Sequence, residues 1–206
     1  MRLDNVPKGA VVSALRGFSA PVVMSTDRTD AQLAHLVQHD SDGFSRWDAC
    51  QTLFANEIAR RAADLTTSPG AGTLPESAQS LTDLMGVLLD QAIASAMAPE
   101  GETVSSQQAL LAKLLTLPAE TDLFERQRPV DVLPLLAART ALATDIATEH
   151  LAKWTELYEA LGARTPYSPD AASIAHRALR NRALAGVALG APVCLLYTSP
   201  SPRDRG

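Results

Sequence analysis

The sequence contains little cysteine and few aromatic residues: two cysteines occur among 206 residues, and aromatic residues make up 4% of the chain. Two cysteines are too few for a disulfide framework. Cys50 lies between Trp47 and Phe54 on an apolar helix face, which predicts a small buried side chain. Positive charge is also in deficit, since the formal net charge is −5. Because no basic stripe stands out, the composition argues against a nucleic-acid partner.

Long apolar runs are absent as well. The longest one, Leu184 to Leu196, is interrupted by Gly186, Gly190 and Pro192 and is too short to cross a bilayer. With 46% hydrophobic residues, however, the chain is able to bury a core. We therefore expect a cytoplasmic protein with no membrane partner.

From Thr29 onward, apolar residues recur with the period of a helix. Thr29 and Gln32 predict a capping box that opens a helix ending at His39, and the run DSDG at 40–43 breaks it. Ser168, as an N-cap followed by Pro169, predicts the start of the last helix. Apolar stripes predict four helices between these two, carrying Phe44, Trp47, Phe54 and Ile58; Leu81 to Ile93; Val104 to Leu115; and Leu136, Ala143, Ala147, Leu151, Trp154, Tyr158 and Leu161.

The two ends of the chain have other patterns. Residues 1–28 predict strands at Val11 to Leu15 and at Pro21 to Met24. Residues 191–206 have neither stripe nor caps, and their string CLLYTSPSPRD back-translates into a sequencing adapter, so we exclude this tail from the fold. The predicted fold is therefore mainly α: an antiparallel helical bundle or solenoid-like superhelix over residues 29–190, preceded by a β-sandwich remnant.

Four strings carry a family resemblance: LRGFSAPV at 15–22, HDSDGFSRWDACQTL at 39–53, LTLP at 115–118 and AHRALRN at 175–181. In this order they resemble the bacterial aminopeptidase N family, zinc metallo-aminopeptidases of the gluzincin group. The resemblance implies a fragment that spans the end of a β-sandwich domain and the start of a helical C-terminal domain. It also implies a parent enzyme that removes N-terminal residues from peptides through zinc-bound water, with the helical domain covering the catalytic domain.

The zinc motif of that family is missing from the sequence. His-Glu-x-x-His does not occur, Glu149 and His150 stand in reverse order, and the inverted motif would need histidine where Ile146 stands. The Gly-Ala-Met-Glu-Asn signature is also missing. We therefore assign no catalytic, cofactor-binding or metal-binding residue and expect a non-catalytic fragment, inactive alone. The alternative is a free-standing helical-repeat module whose concave face binds a protein partner.

A few side chains invite a chemical interpretation. His35 and His39 have the spacing of two zinc ligands, but no third ligand is evident, which favours a solvated helix face. Ser13, Ser19 and Ser45 have no histidine or aspartate arranged near them in the sequence.

Charged residues give two further expectations. Arg46 and Asp48 flank Trp47, and we expect them to form a bidentate pair that fixes the first long helix against the β-sandwich. A basic cluster on the last helix is expected to meet acidic residues of an adjacent helix rather than to bind an anion. This cluster consists of His176, Arg177, Arg180 and Arg182.

Overall fold

The part of the protein that the structure describes is mainly helical. The computed structural model describes residues 9–14, 16, 27–67, 76–127, 130–162 and 167–191, with the backbone alone at 76–78. Within these ranges the chain forms eight α-helices and no strand, which confirms the mainly α fold. The helices are α1 (Asp30–His39), α2 (Gly43–Thr67), α3 (Glu76–Met97), α4 (Glu102–Leu114), α5 (Glu120–Arg126), α6 (Val132–Glu149), α7 (Leu151–Leu161) and α8 (Ala171–Gly190).

The caps confirm one predicted helix start and correct another. Thr29 and Gln32 form the predicted capping box of α1. The prediction of Ser168 as the N-cap of α8 is wrong: the cap is Asp170, whose Oδ1 accepts a hydrogen bond from the Ser173 amide at 2.8 Å. The Ser168 hydroxyl instead donates to the Asp170 carboxylate. The N-terminus of a helix carries partial positive charge, so a negatively charged carboxylate is a better partner for it than a neutral hydroxyl.

The long helix predicted after Pro129 is two helices that meet at His150. His150 leaves helical geometry, with φ −106° and ψ 23°, and its Nε2 donates to the Thr82 carbonyl of α3 at 2.8 Å. The buried face of α6 also differs from the prediction, because Leu136 and Ala143 are only half-buried. The residues of α6 that are buried are Leu135, Ala138, Leu142, Ile146 and Ala147.

Helix α5 is not predicted by any stripe. It has seven residues and buries one side chain, Leu123, which is too little to display a period. The predicted strand at Val11 to Leu15 is absent from residues 11–14; the strand at Pro21 to Met24 and the tail after Ala191 lie outside the described residues.

The core lies around α2 and α8, which each contact several other helices. Helix α2 packs against α1, α3, α4 and α6, and α8 packs against α4, α6 and α7. The prediction that Trp47 is buried is only partly right: its ring is half-buried, beside Phe44, which is 39% exposed. The fully buried indole is Trp154 of α7.

Small residues let α8 approach its neighbours closely. A Cβ at Gly186 would lie 2.3 Å from Cδ2 of Trp154, and one at Gly190 would lie 2.6 Å from the carbonyl oxygen of Ala147. Both distances are shorter than any real contact, so glycine is required at both positions for α8 to pack on α6 and α7 as it does.

Candidate functional site

Side chains from three helices converge on the C-terminal end of α4. Helix ends leave carbonyl groups without partners inside the helix, and here donors from elsewhere in the chain satisfy them. We call this arrangement the α4 hub. Its bonds run from Cys50 Sγ to Leu114 O (3.3 Å), Arg182 Nε to Leu115 O (2.6 Å), Gln51 Nε2 to Thr116 O (2.9 Å) and Arg139 Nε to Pro118 O (2.9 Å).

Cys50 belongs to the hub as a packing residue. It is fully buried, as predicted, and its pKa is raised to about 12 by burial, with a smaller opposing effect from Arg46. A thiol with such a pKa stays protonated at neutral pH, so it is a poor nucleophile there.

A network of charges joins α1, α2 and α6. Glu57 of α2 is fully buried and receives a hydrogen bond from Arg61 Nε at 2.8 Å and an ion pair from Arg60 at 3.1 Å. Arg61 also meets Asp145 of α6 at 2.6 Å, and Arg60 meets Asp30 of α1 at 2.9 Å. Burial alone would lower the pKa of Arg61, but its hydrogen bonds to Glu57 and Asp145 raise it. Arg61 therefore stays charged, and its ion pair and that of Arg60 compensate a carboxylate that water does not reach.

Arg46 has partners other than the predicted one. Its Nε donates to the Val37 carbonyl at 2.7 Å, and its Nη2 donates to Gln91 at 3.4 Å. No ion pair between Arg46 and Asp48 occurs among the described residues, because positions two apart point to different sides of a helix. Arg46 thus ties α2 to α1 and α3.

Asp40 links residues 9–16 to the helices. Its side chain is 1% exposed, and its Oδ1 lies 2.6 Å from Nη2 of Arg16. The same atom accepts from the Asp42 amide at 2.9 Å. Although burial alone would raise it, contacts with Ser13, Asp42 and Arg16 lower the pKa of Asp40 to about 2. The segment before α1 is therefore attached by a charged group, and Val11 packs against the core beside it.

Within the described residues, Arg177, Arg180 and Arg182 form no ion pair with a carboxylate, so the prediction of acidic partners is wrong for these three arginines. Arg177 donates to the Ser168 carbonyl and lies 4.6 Å from the centre of the Tyr167 ring. Arg180 donates to the Tyr158 hydroxyl and lies 4.4 Å from that ring. Arg182 donates to Leu115 O and lies 5.2 Å from the centre of the Trp154 ring, and His176 Nε2 donates to the Leu161 carbonyl. Carbonyl groups and aromatic faces take the place of the expected carboxylates.

An open groove of about 1000 Å³ lies between the N-terminal ends of α4 and α8. Small residues line most of it, and Glu100, Glu102 and Asp170 supply its negative charge. Two buried polar side chains form part of its floor: Gln108, which donates to the Ser95 carbonyl at 3.1 Å, and His176. Both side chains bond to carbonyl groups of the fold, Gln108 to Ser95 and His176 to Leu161.

The histidines and serines considered as metal ligands or nucleophiles lie at separate places in the described structure. His35 and His39 are exposed, with ring centres 4.6 Å apart, and no group of three potential ligands occurs in the described part of the chain. Ser13 lies beside Asp40 and Ser45 lies in the first turn of α2, and neither bonds to a histidine within the described ranges; Ser19 is outside the described residues.

The α4 hub and the charge network escaped prediction because their members are far apart in sequence. Arg61 and Asp145 are separated by 84 positions, and Gln51 and Thr116 by 65. A polar residue on an otherwise apolar stripe, such as Glu57 between Phe54 and Ile58, is the signal in the sequence that points to a buried partner.

A sequence family described as a domain of unknown function (DUF3458_C) with ARM repeats matches residues 30–193. The chain belongs to this family. It is also 36% identical to aminopeptidase N of Caulobacter vibrioides over 182 residues, which are 88% of the chain and 19% of that protein. Aminopeptidase N of Escherichia coli K12 is 32% identical over 187 residues, 91% of the chain and 20% of that protein.

A solved structure has the same fold. Aminopeptidase A of Legionella pneumophila, in complex with aspartic acid, superposes with a TM-score of 0.63 at 21% identity, over 85% of this chain and 19% of that one. The chain thus spans about a fifth of the length of these relatives. The homology supports a fragment of a metallo-aminopeptidase and confirms the predicted resemblance to aminopeptidase N.

None of the helices in the described ranges combines the length and the apolar character needed to cross a bilayer.

Proposed function

We propose that this chain is a non-catalytic part of a zinc-dependent aminopeptidase, in which the helical stack covers the active site and limits the peptides that reach it. The observation that carries the proposal is the match to aminopeptidase N over most of this chain but only a fifth of each relative. The catalytic domain of the same polypeptide would hold the zinc, which would supply an activated water. A cytoplasmic location is part of the proposal.

The packing of the helices supports a role as a rigid wall. A wall that limits access must keep its shape while peptides press against it. Here α8 approaches α6 and α7 so closely that only glycine fits at positions 186 and 190. Helix α2 is joined to α6 through the ion pairs of the buried Glu57 and Arg61. Such close-packed and charge-paired contacts permit few alternative arrangements.

The test compares two glycine substitutions in the complete enzyme. Gly186→Ala forces a methyl group against Trp154, whereas Gly43→Ala places one at 3.5 Å from Leu110, an ordinary contact. The readout is kcat/KM for an alanyl reporter amide and for a long peptide with N-terminal alanine. We expect Gly186→Ala to change the ratio of the two values several-fold and Gly43→Ala to leave it unchanged.

Thermal unfolding of both variants accompanies the assay. The proposal fails if Gly186→Ala lowers the unfolding temperature of the helical part, so that the wall is demonstrably altered, while the ratio of long to short substrates stays at the value of the unmodified enzyme. Equal losses on both substrates would likewise contradict a role in access, since they indicate a general loss of active enzyme.

A further inference from the structure

We propose that Arg139 and Arg182 form a binding site for a doubly charged oxyanion at the α4 hub. The two side chains come from different helices, α6 and α8, and both donate through Nε to carbonyl groups of the same short segment. Arg139 bonds to Pro118 O at 2.9 Å and Arg182 to Leu115 O at 2.6 Å. Three positions separate these carbonyls, so the two guanidinium groups reach the same short segment.

The positive charge of this pair is not compensated within the described residues. Arg16, Arg60 and Arg61 each form an ion pair with a carboxylate, whereas Arg139 and Arg182 form none. Burial, and after it the charge of Arg139, lower the pKa of Arg182 to about 10. Two like charges held close together repel each other, and a bound dianion would remove that repulsion.

Both guanidinium groups keep donors available on their outer edge. Each uses Nε for a carbonyl, and both side chains are half-buried. The buried atoms without a partner in the described part of the chain include Nη2 of Arg61 but no atom of Arg139 or Arg182. Their Nη groups therefore reach solvent, in the planar arrangement that matches two oxygen atoms of an anion.

The site is fixed in place before a ligand arrives. The Nε bonds orient both side chains, and the guanidinium of Arg182 lies 5.2 Å from the centre of the buried Trp154 ring. The carbonyl groups at the end of α4 would repel an anion, but side-chain donors occupy them at Leu114, Leu115 and Thr116. A ligand would thus lose little affinity to ordering the site.

Two positive charges select the ligand class. A phosphate group and a pair of neighbouring carboxylates both present two negative charges with several acceptor oxygens. The site lies within this chain and does not depend on the aminopeptidase proposal. The two sources of the same chemistry are distinguished by inorganic phosphate and by a short capped peptide with two adjacent glutamates.

The first experiment follows the reaction of phenylglyoxal with arginines of the whole chain, read by mass spectrometry. With phosphate present, against chloride at equal ionic strength, Arg139 and Arg182 should react several-fold more slowly. Arg177, which bonds to a carbonyl at the far end of α8, is the internal control and should be unchanged. Equal protection of all three arginines, or protection of none by either probe, would overturn the proposal.

Thermal unfolding with variants gives a second readout. Phosphate should raise the unfolding temperature of the unmodified chain and of Arg177→Gln, but not that of Arg139→Gln. If Arg139→Gln does not fold, Arg139→Lys keeps the charge without the planar fork and should show a reduced shift. An undiminished shift in Arg139→Gln would contradict the site. A stronger response to the glutamate peptide than to phosphate would identify an acidic protein segment as the ligand.

Discussion

The α2–α6 contact and the α7–α8 contact hold helices together by different means. Between α2 and α6, a fully buried carboxylate, Glu57, is matched by Arg61, which also reaches Asp145. Between α7 and α8, the Trp154 ring lies against the backbone at Gly186, and Arg180 and Arg182 lie near aromatic rings. The first contact depends on charge and the second on shape. Substitutions that change one property should therefore affect one contact much more than the other.

The largest loss of stability is expected in the α7–α8 contact, which depends on the packing of Trp154. Trp154→Ala removes the fully buried indole and should cost about 3–5 kcal/mol of unfolding free energy, as large-to-small core changes do. Trp47→Ala removes a half-buried indole and should cost roughly 1–2 kcal/mol. Urea unfolding of both variants measures the difference. Equal losses would mean that the burial of the two rings has been assigned wrongly.

A charge substitution in the α2–α6 contact should cause the second largest loss of stability. Arg61→Met leaves Glu57 buried with Arg60 alone and should cost about 3 kcal/mol. The double variant Glu57→Met/Arg61→Met removes both buried charges and should recover much of this loss. A double variant less stable than Arg61→Met would show that Glu57 stabilises the fold by more than balancing the charge of Arg61.

Attachment of the segment before α1 should depend on pH. Asp40 has a folded pKa of about 2 against an ordinary 3.8, so its stabilising contribution is complete above about pH 4 and is lost as the pH falls towards 2. Asp40→Asn should lower stability at pH 7 by about 1–2 kcal/mol, a modest value because Arg16 is half exposed. Acid unfolding followed by circular dichroism checks both statements. A variant whose stability falls between pH 4 and 2 as steeply as that of the unmodified chain would refute them.

The smallest effect is expected at an exposed ion pair. Lys153 and Asp90 meet at 2.8 Å between α7 and α3, with side chains 35% and 60% exposed. Asp90→Asn should change the unfolding free energy by about 0.5 kcal/mol or less. A loss as large as that of Arg61→Met would mean that burial does not distinguish the two kinds of ion pair.

Local signals predicted the helices well, and long-range contacts explain what they missed. The capping box at Thr29 and the stripes of α2 to α4 depend on residues a few positions apart, so the sequence displays them directly. The break at His150 depends on a bond to Thr82, and the partners of Arg180 and Arg182 lie on α7 and at the end of α4. No pattern within a single helix contains that information.

The division between residues 1–28 and 29–190 stays a prediction. Residues 11 and 16 contact the helical part, through core packing and through Asp40 respectively. Limited proteolysis tests the division. If residues 1–28 are a β-sandwich remnant, the protease should remove them first and leave a core that begins between about Ser25 and Thr29. Resistance of the first 28 residues would make them part of the helical domain.

We propose that this chain shapes access to an active site without performing chemistry itself. The most direct test is an aminopeptidase assay of the purified chain on alanyl and other aminoacyl reporters, with and without added zinc, against a heat-denatured control. The predicted result is a rate equal to that of the control under both conditions. A zinc-dependent rate well above the control, lost when the chain is denatured, would contradict the account.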